Sequence, residues 1–123
     1  MRRIPPRKAS RLSARRDRRW PPGKTLLKRL VEEAIVDACG DAEQRTGFLV
    51  ALEDHLDLPF ETSVLGVAVT VEKVDTTEAD EIVAICRRGR KRLAVPILEL
   101  PLPARRPQGA EWIEAYRRWT RGS

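Results

Sequence analysis

The spacing of apolar residues changes near Phe60, and that change limits the folds open to this chain. Before it, apolar residues recur at helical intervals in two segments. After it, the alternation is typical of strands, with Val67, Val69 and Val71 on one face. A last segment, residues 110–121, returns to the helical interval. The sequence therefore predicts an α+β domain: two N-terminal helices, a small bent antiparallel sheet or SH3-like partial barrel, and a C-terminal helix.

The two predicted N-terminal helices carry boundary signals. Thr25 is a candidate N-cap for the first helix, and Gly40 supplies a C-terminal stop. Asp41 is a candidate cap for the second helix. Pro59 ends that helix, because proline disfavours helical geometry in the preceding residue.

The predicted strands form two hairpins. Leu65-Gly66 is the bend between the first two strands, and residues 82–86 and 93–98 form the second pair. Residues 87–92 join that pair as a basic tip. Pro96 cannot donate a hydrogen bond to a neighbouring strand, so the last strand is predicted to lie at an edge or to be irregular there.

The C-terminal helix carries an aromatic face. Trp112, Tyr116 and Trp119 recur at intervals of four and three residues and therefore share one side. We expect them to pack across the sheet; an aromatic platform for a ligand is the less favoured alternative.

The net charge of +6 is unevenly distributed. The first 24 residues hold ten basic residues and one acidic residue, whereas the remaining 99 hold fourteen basic and seventeen acidic residues, a net charge of −3. This division predicts a disordered basic arm at residues 1–24 and a single domain at residues 25–123. The arm is either an electrostatic contact for nucleic acid or a solubilising tail.

Composition argues against several classes of protein. No apolar run approaches the roughly 20 residues of a membrane helix, and the start lacks the apolar segment of a secretory signal. The two cysteines match no metal or redox spacing and are predicted to be buried thiols in a reducing compartment. One histidine and few serines offer no nucleophile with a base. We therefore expect a cytoplasmic protein that is not an enzyme and has no membrane partner.

Carboxylates gather between apolar anchors in residues 37–61. Ca²⁺ prefers such oxygen ligands, although the spacing is not that of an EF-hand. The predicted helices would bring three of the carboxylates to one corner. The alternative is that these residues only suit the start of the second helix. The candidate metal ligands are Asp37, Asp41, Glu43, Asp54 and Glu61.

A nucleic-acid-binding module is the alternative function. It would use the basic arm together with the hairpin tip, whose five basic side chains could hold phosphate groups. A solvated hairpin end that discourages aggregation is the competing interpretation. The candidate residues are Arg87, Arg88, Arg90, Lys91 and Arg92.

Residues 35–45, 52–54 and 58–61 resemble the signature of the CcbP-type calcium-binding proteins, which are small bacterial proteins without an EF-hand. The likeness continues through residues 66–71 and ends at residues 111–119. It implies a Ca²⁺-binding or Ca²⁺-buffering protein in which Asp37 is a metal-linked carboxylate. Because the members associated with buffering are acidic overall and this chain is basic, we expect a weakened affinity.

Overall fold

The computed structural model describes residues 20–122. The helices are α1 (Lys24–Ile35), α2 (Gly40–His55) and α3 (Glu111–Thr120). The strands are β1 (Phe60–Val64), β2 (Val67–Thr76), β3 (Ile82–Arg88) and β4 (Lys91–Pro96), and a turn of 3₁₀-helix follows at Ile97–Glu99. The predicted α+β order is confirmed. The predicted basic arm lies outside the described residues except for its last five.

The sheet is an antiparallel meander in the order β1-β2-β3-β4. Within residues 20–122, β1 and β4 are edge strands that do not pair with each other. Pro96 ends β4, which is an edge strand, so the predicted edge position of this proline is confirmed. The strand covers residues 91–96 and not 93–98, because it begins closer to the hairpin turn and Ile97 begins the 3₁₀ turn. A register shift between Val71 and Lys73 interrupts the pairing of β2 with β3.

The helix boundaries differ from those predicted. Gly23 is the N-cap of α1 and makes no side-chain cap hydrogen bond, so Thr25 lies inside the helix and the predicted cap is wrong. Gly40 is the first residue of α2 and not the stop of α1, which already ends at Ile35. Cys39, and not Asp41, holds the N-cap position of α2.

One hydrophobic core joins the helices to a face of the sheet. Phe48 and Leu52 of α2 are completely buried beside Val71 of β2 and Ile113 of α3. Burial of several such side chains contributes about 1.5–3 kcal/mol each and holds the layers together. None of the helices among the described residues is long and apolar enough to cross a membrane.

The aromatic residues of α3 pack mainly against α2. The ring centroid of Phe48 lies 5.4 Å from that of Tyr116 and 5.5 Å from that of Trp119. Trp112 stacks on His55 with the ring centroids 4.7 Å apart. The shared face was predicted, but the partners of these rings belong to a helix and not to the sheet. These contacts join α3 to the middle and to the C-terminal end of α2.

Candidate metal centre

The turn between α1 and α2 places Asp37 in an unusual backbone conformation. Asp37 has a φ of 65°, in the left-handed region that few residues other than glycine adopt. Aspartate tolerates this region better than most residues, because its short polar side chain can bond locally. The backbone N–H of Ala38 donates to the carbonyl of Ile35 at 3.0 Å, which closes the turn. Asp37, whose side chain is exposed, therefore lies two residues after the end of α1.

Asp41 and Glu43 lie in the first turn of α2. The carboxylate of Glu43 accepts a hydrogen bond from the backbone N–H of Cys39 at 2.8 Å. Carboxylates are favourable there because the N-terminal end of a helix carries partial positive charge. Glu43 thus has a structural role at the helix start, as the alternative interpretation of the sequence expected, and one of its oxygens is engaged in that role.

The first turn of α2 is anchored to α3. The indole N–H of Trp119 donates to the side-chain oxygen of Gln44 at 2.9 Å. The guanidinium of Arg45 lies over the same indole, 5.1 Å from its ring centroid. Because Gln44 and Arg45 follow Glu43 directly, these contacts fix the backbone that carries the carboxylates of the corner.

The five candidate ligands divide between two places. Asp37, Asp41 and Glu43 lie at the corner between α1 and α2, whereas Asp54 lies in the last turn of the continuous helix α2. The rise per helical residue puts Asp54 about 20 Å from Asp41 along the axis. Glu61, the second residue of β1, follows that far end. Asp54 is therefore too far along α2 to share an ion with Asp41, whereas Glu61 is placed only as a residue of β1 that follows Asp54 in the chain.

The corner matches Ca²⁺ in its donor chemistry but is not a closed cage. Its three carboxylates are exposed, and the last turn of α1 adds carbonyl oxygens without helical partners. Hard cations take such oxygens, completed by water. Among residues 20–122, however, no three side chains of His, Cys, Asp or Glu are gathered closely enough to hold a metal ion. The corner thus provides ligands of the right kind in a loose arrangement.

Another acidic segment, residues 75–81, forms a turn stabilised by its own hydrogen bonds. The hydroxyl of Thr77 accepts from the backbone N–H groups of Ala79 and Glu81, each at 3.2 Å. The backbone N–H of Thr77 donates to the carbonyl of Glu81 at 2.9 Å. The carboxylates Asp75, Glu78, Asp80 and Glu81 are exposed. These hydrogen bonds indicate that the segment has a structural role as the connection between β2 and β3.

The basic hairpin has a shorter turn than predicted. Strand β3 continues to Arg88 and strand β4 begins at Lys91, so only residues 89 and 90 form the turn. Arg87 lies directly opposite Arg92 in the pairing of β3 with β4. Glu72 forms ion pairs with both arginines, and its carboxylate lies 3.2 Å from Nε of Arg92. Sequence reasoning missed Glu72. No local signal could have found it, because its position depends on the register shift in β2.

Glu72→Gln is expected to remove a pH-dependent stabilisation. The hydrogen bond from Arg87 holds the pKa of Glu72 below its ordinary value of 4.5, with help from Arg92 and against the opposing effect of desolvation. A carboxyl with a lowered folded-state pKa stabilises the protein above its unfolded pKa and loses that effect as the pH falls through the folded value. The advantage of wild type over Glu72→Gln should therefore be constant near neutral pH and shrink below about pH 4.5.

Urea unfolding of both proteins across this pH range measures that difference. The matched control is Glu78→Gln, an exposed glutamate without an ion-pair partner in the described part of the chain. Curves for wild type and Glu72→Gln that stay parallel down to pH 3 would contradict the expectation.

A family model of the CcbP type, described as calcium binding, matches residues 28–120, about three quarters of the chain. No curated protein and no solved structure matches the chain significantly. The matched segment begins within α1 and ends with α3, so it includes the corner and the whole sheet.

Proposed function

The chain belongs to the CcbP family of calcium-binding proteins, and we propose that it binds Ca²⁺ at the corner between α1 and α2. The observation that carries this placement is Asp37, held with a φ of 65° between the C-terminal end of one helix and the first turn of the next. Its side chain is exposed and lies two residues after a helix end whose carbonyl oxygens favour cations.

Three carboxylates would hold the ion. Asp37 and Asp41 make no side-chain hydrogen bond within residues 20–122, so both of their oxygens are available. Glu43 offers only the oxygen that Cys39 does not engage. The bound cation would offset the repulsion among these carboxylates. Backbone carbonyls of the turn and water would complete the six to eight oxygens that Ca²⁺ takes.

The affinity is expected to be modest. Calcium affinity rises with the number of charged ligands and with the rigidity of the site. Here the ligands are few and solvent-exposed, and they are not gathered before the ion binds. We therefore propose a dissociation constant on the order of 10⁻⁴ M, which suits a buffer of high calcium levels better than a sensor of resting ones.

Asp37→Asn is expected to weaken Ca²⁺ binding at least tenfold. Asparagine tolerates the left-handed backbone, so the substitution removes the charge and one ligand oxygen and leaves the turn intact. Isothermal titration calorimetry of the full chain with Ca²⁺, and separately with Mg²⁺, measures the effect. Mg²⁺ should bind more weakly because it requires a near-ideal octahedral arrangement.

Asp80→Asn is the matched control. Asp80 is also an exposed aspartate with positive φ, 63°, but it lies in the turn between β2 and β3. Its substitution should leave Ca²⁺ binding unchanged. Absence of binding to wild type at millimolar Ca²⁺ would contradict the proposed function. If Asp37→Asn still bound Ca²⁺ and the double variant Asp54→Asn, Glu61→Gln did not, the site would lie at the other end of α2.

We also propose that the protein acts without catalysis in a reducing, cytoplasmic compartment. The single histidine, His55, is exposed and stacks on Trp112 at 4.7 Å, so its ring serves packing. Burial raises the pKa of the Cys86 thiol, which disfavours the thiolate that a nucleophile needs. Cys39 is exposed, contrary to the sequence expectation, and both cysteines are free. Free thiols support the proposed compartment.

A further inference from the structure

The β3–β4 hairpin concentrates positive charge at one end of the sheet. Arg88 lies opposite Lys91 and Arg87 opposite Arg92, with Arg90 in the turn between them. All five side chains are exposed. Like charges directly opposite each other destabilise a strand pair, so this end of the hairpin carries a local cost.

Glu72 compensates only part of this charge. Its two carboxylate oxygens accept hydrogen bonds from Nε of Arg87 and Nε of Arg92. The side chains of these two arginines remain 46% and 68% exposed, respectively. Because these bonds use Nε, the terminal nitrogens of Arg92 keep donors for a second anion. Arg88, Arg90 and Lys91 have no ion-pair partner among the residues that the structure covers. The tip thus combines two arginines oriented by a carboxylate with three unpaired cations.

The acidic residues of the sheet lie at its other end. The turn between β2 and β3, with its four carboxylates, is separated from Arg88 by the length of β3, about 20 Å. At physiological ionic strength charges are screened over about 8 Å. The carboxylates therefore do not neutralise the tip, and an anion approaching it meets net positive charge.

The neighbouring turn distinguishes two kinds of anionic partner. Val64 pairs with Val67 and Thr70 with Arg87, so the β1–β2 turn projects from the same end of the sheet as the basic tip. That turn carries Leu65, which is 96% exposed. An exposed leucine beside cations could suit a membrane surface, but one leucine contributes little to binding at an interface. Four of the five cations are arginines, whose planar donors fit phosphate oxygens in pairs.

We propose that the β3–β4 hairpin tip binds the phosphate backbone of double-stranded nucleic acid. The hairpin end is flanked by β2, which pairs with β3 as far as Arg87, so this edge of the sheet would meet a duplex from outside. Its exposed basic side chains would then contact the phosphates that border a groove. This surface is separate from the proposed calcium corner, and its test does not depend on Ca²⁺.

The test uses the full chain and a fluorescently labelled 20-base-pair DNA duplex, titrated at several salt concentrations. Wild type should bind more weakly as salt rises. The triple variant Arg88→Gln, Arg90→Gln and Lys91→Gln should bind at least tenfold more weakly at about 0.1 M salt. Its plot of log affinity against log salt should be shallower by about 2.7, since each lost phosphate contact removes about 0.9.

The matched control is the triple variant Lys28→Gln, Arg105→Gln and Arg121→Gln. It removes the same charge from exposed positions outside the hairpin and should keep most of the affinity. Equal losses in the two triple variants, or no duplex binding by wild type at 50 mM salt, would overturn the proposal. A membrane-binding result would also overturn it. In that case wild type would bind vesicles of phosphatidylserine and phosphatidylcholine, Leu65→Ser would not, and the triple variant of the tip would bind the duplex as well as wild type.

Discussion

Gly109→Ala is expected to lower the free energy of unfolding by about 3–5 kcal/mol, a large part of the roughly 5–15 kcal/mol that is typical of a folded domain. Gly109 has a φ of 91°, where a side chain is strained whatever the surrounding space. A Cβ added there would overlap the carbonyl oxygen of His55 and lie 2.7 Å from the Cα of Leu56. Both obstacles are backbone atoms, so no change of rotamer relieves them.

The same contact positions the start of α3. The carbonyl of Gln108 accepts from the backbone N–H of Asp57 at 2.8 Å, and Gly109 accepts from Trp112 at 2.9 Å. A shift of this loop should separate the stacked rings of His55 and Trp112. Urea unfolding followed by tryptophan fluorescence gives the stability, and near-ultraviolet circular dichroism reports the rings.

Gly66→Ala is the matched control for Gly109→Ala. Gly66 also has a positive φ, 79°, but a Cβ there would meet no atom within 4 Å. Its substitution should lower stability by only about 1–2 kcal/mol, the cost of the backbone conformation alone. If the two variants were equally stable, close approach at Gly109 would not be the cause.

Gly47→Ala is expected to destabilise the protein by about 2–3 kcal/mol, although the same change in an exposed helix would stabilise it by about 1 kcal/mol. Gly47 lies inside α2, against the backbone of the last turn of α1. An added Cβ would overlap the carbonyl oxygen of Ala34 and lie 3.2 Å from its carbonyl carbon. The helices would have to separate, and Leu30 and Val31 of α1 would lose burial.

Urea unfolding measures the stability of Gly47→Ala, with Thr46→Ala as the control. Thr46 is the preceding residue on α2, but it is exposed, and its hydroxyl bonds only to the carbonyl of Ala42 within the same helix. Its substitution should change stability by less than about 0.5 kcal/mol. An increase in stability for Gly47→Ala would show that helix propensity outweighs the contact.

The order and type of the elements could be predicted because they depend on local patterns. The helical spacing before Phe60 and the alternation at Val67, Val69 and Val71 confine each segment to one regular structure. Element ends were predicted less well. Gly40 was expected to stop α1 and instead begins α2, because glycine with a positive φ suits a turn at either helix end.

The candidate site could be predicted only in part. The position of Asp37 after α1, and of Asp41 and Glu43 in the first turn of α2, follows from nearby residues. The separation of Asp54 from the corner became evident only from the full length of α2, which runs without a break from Gly40 to His55. The ligand set therefore stays a prediction, with the corner as the place where it is tested.

The sequence by itself determined the α+β class, the two hairpins and the shared aromatic face of α3, because each depends on spacing within one segment. Only the tertiary structure decided that this face packs on Phe48 and that Glu72 forms ion pairs with Arg87 and Arg92. It also decided that Gly47 and Gly109 lie against backbone atoms of other segments. The physical reason is that these contacts join residues distant in sequence. The strand register and the angle at which the helices cross determine these contacts, and the packing of the whole core determines the register and the angle.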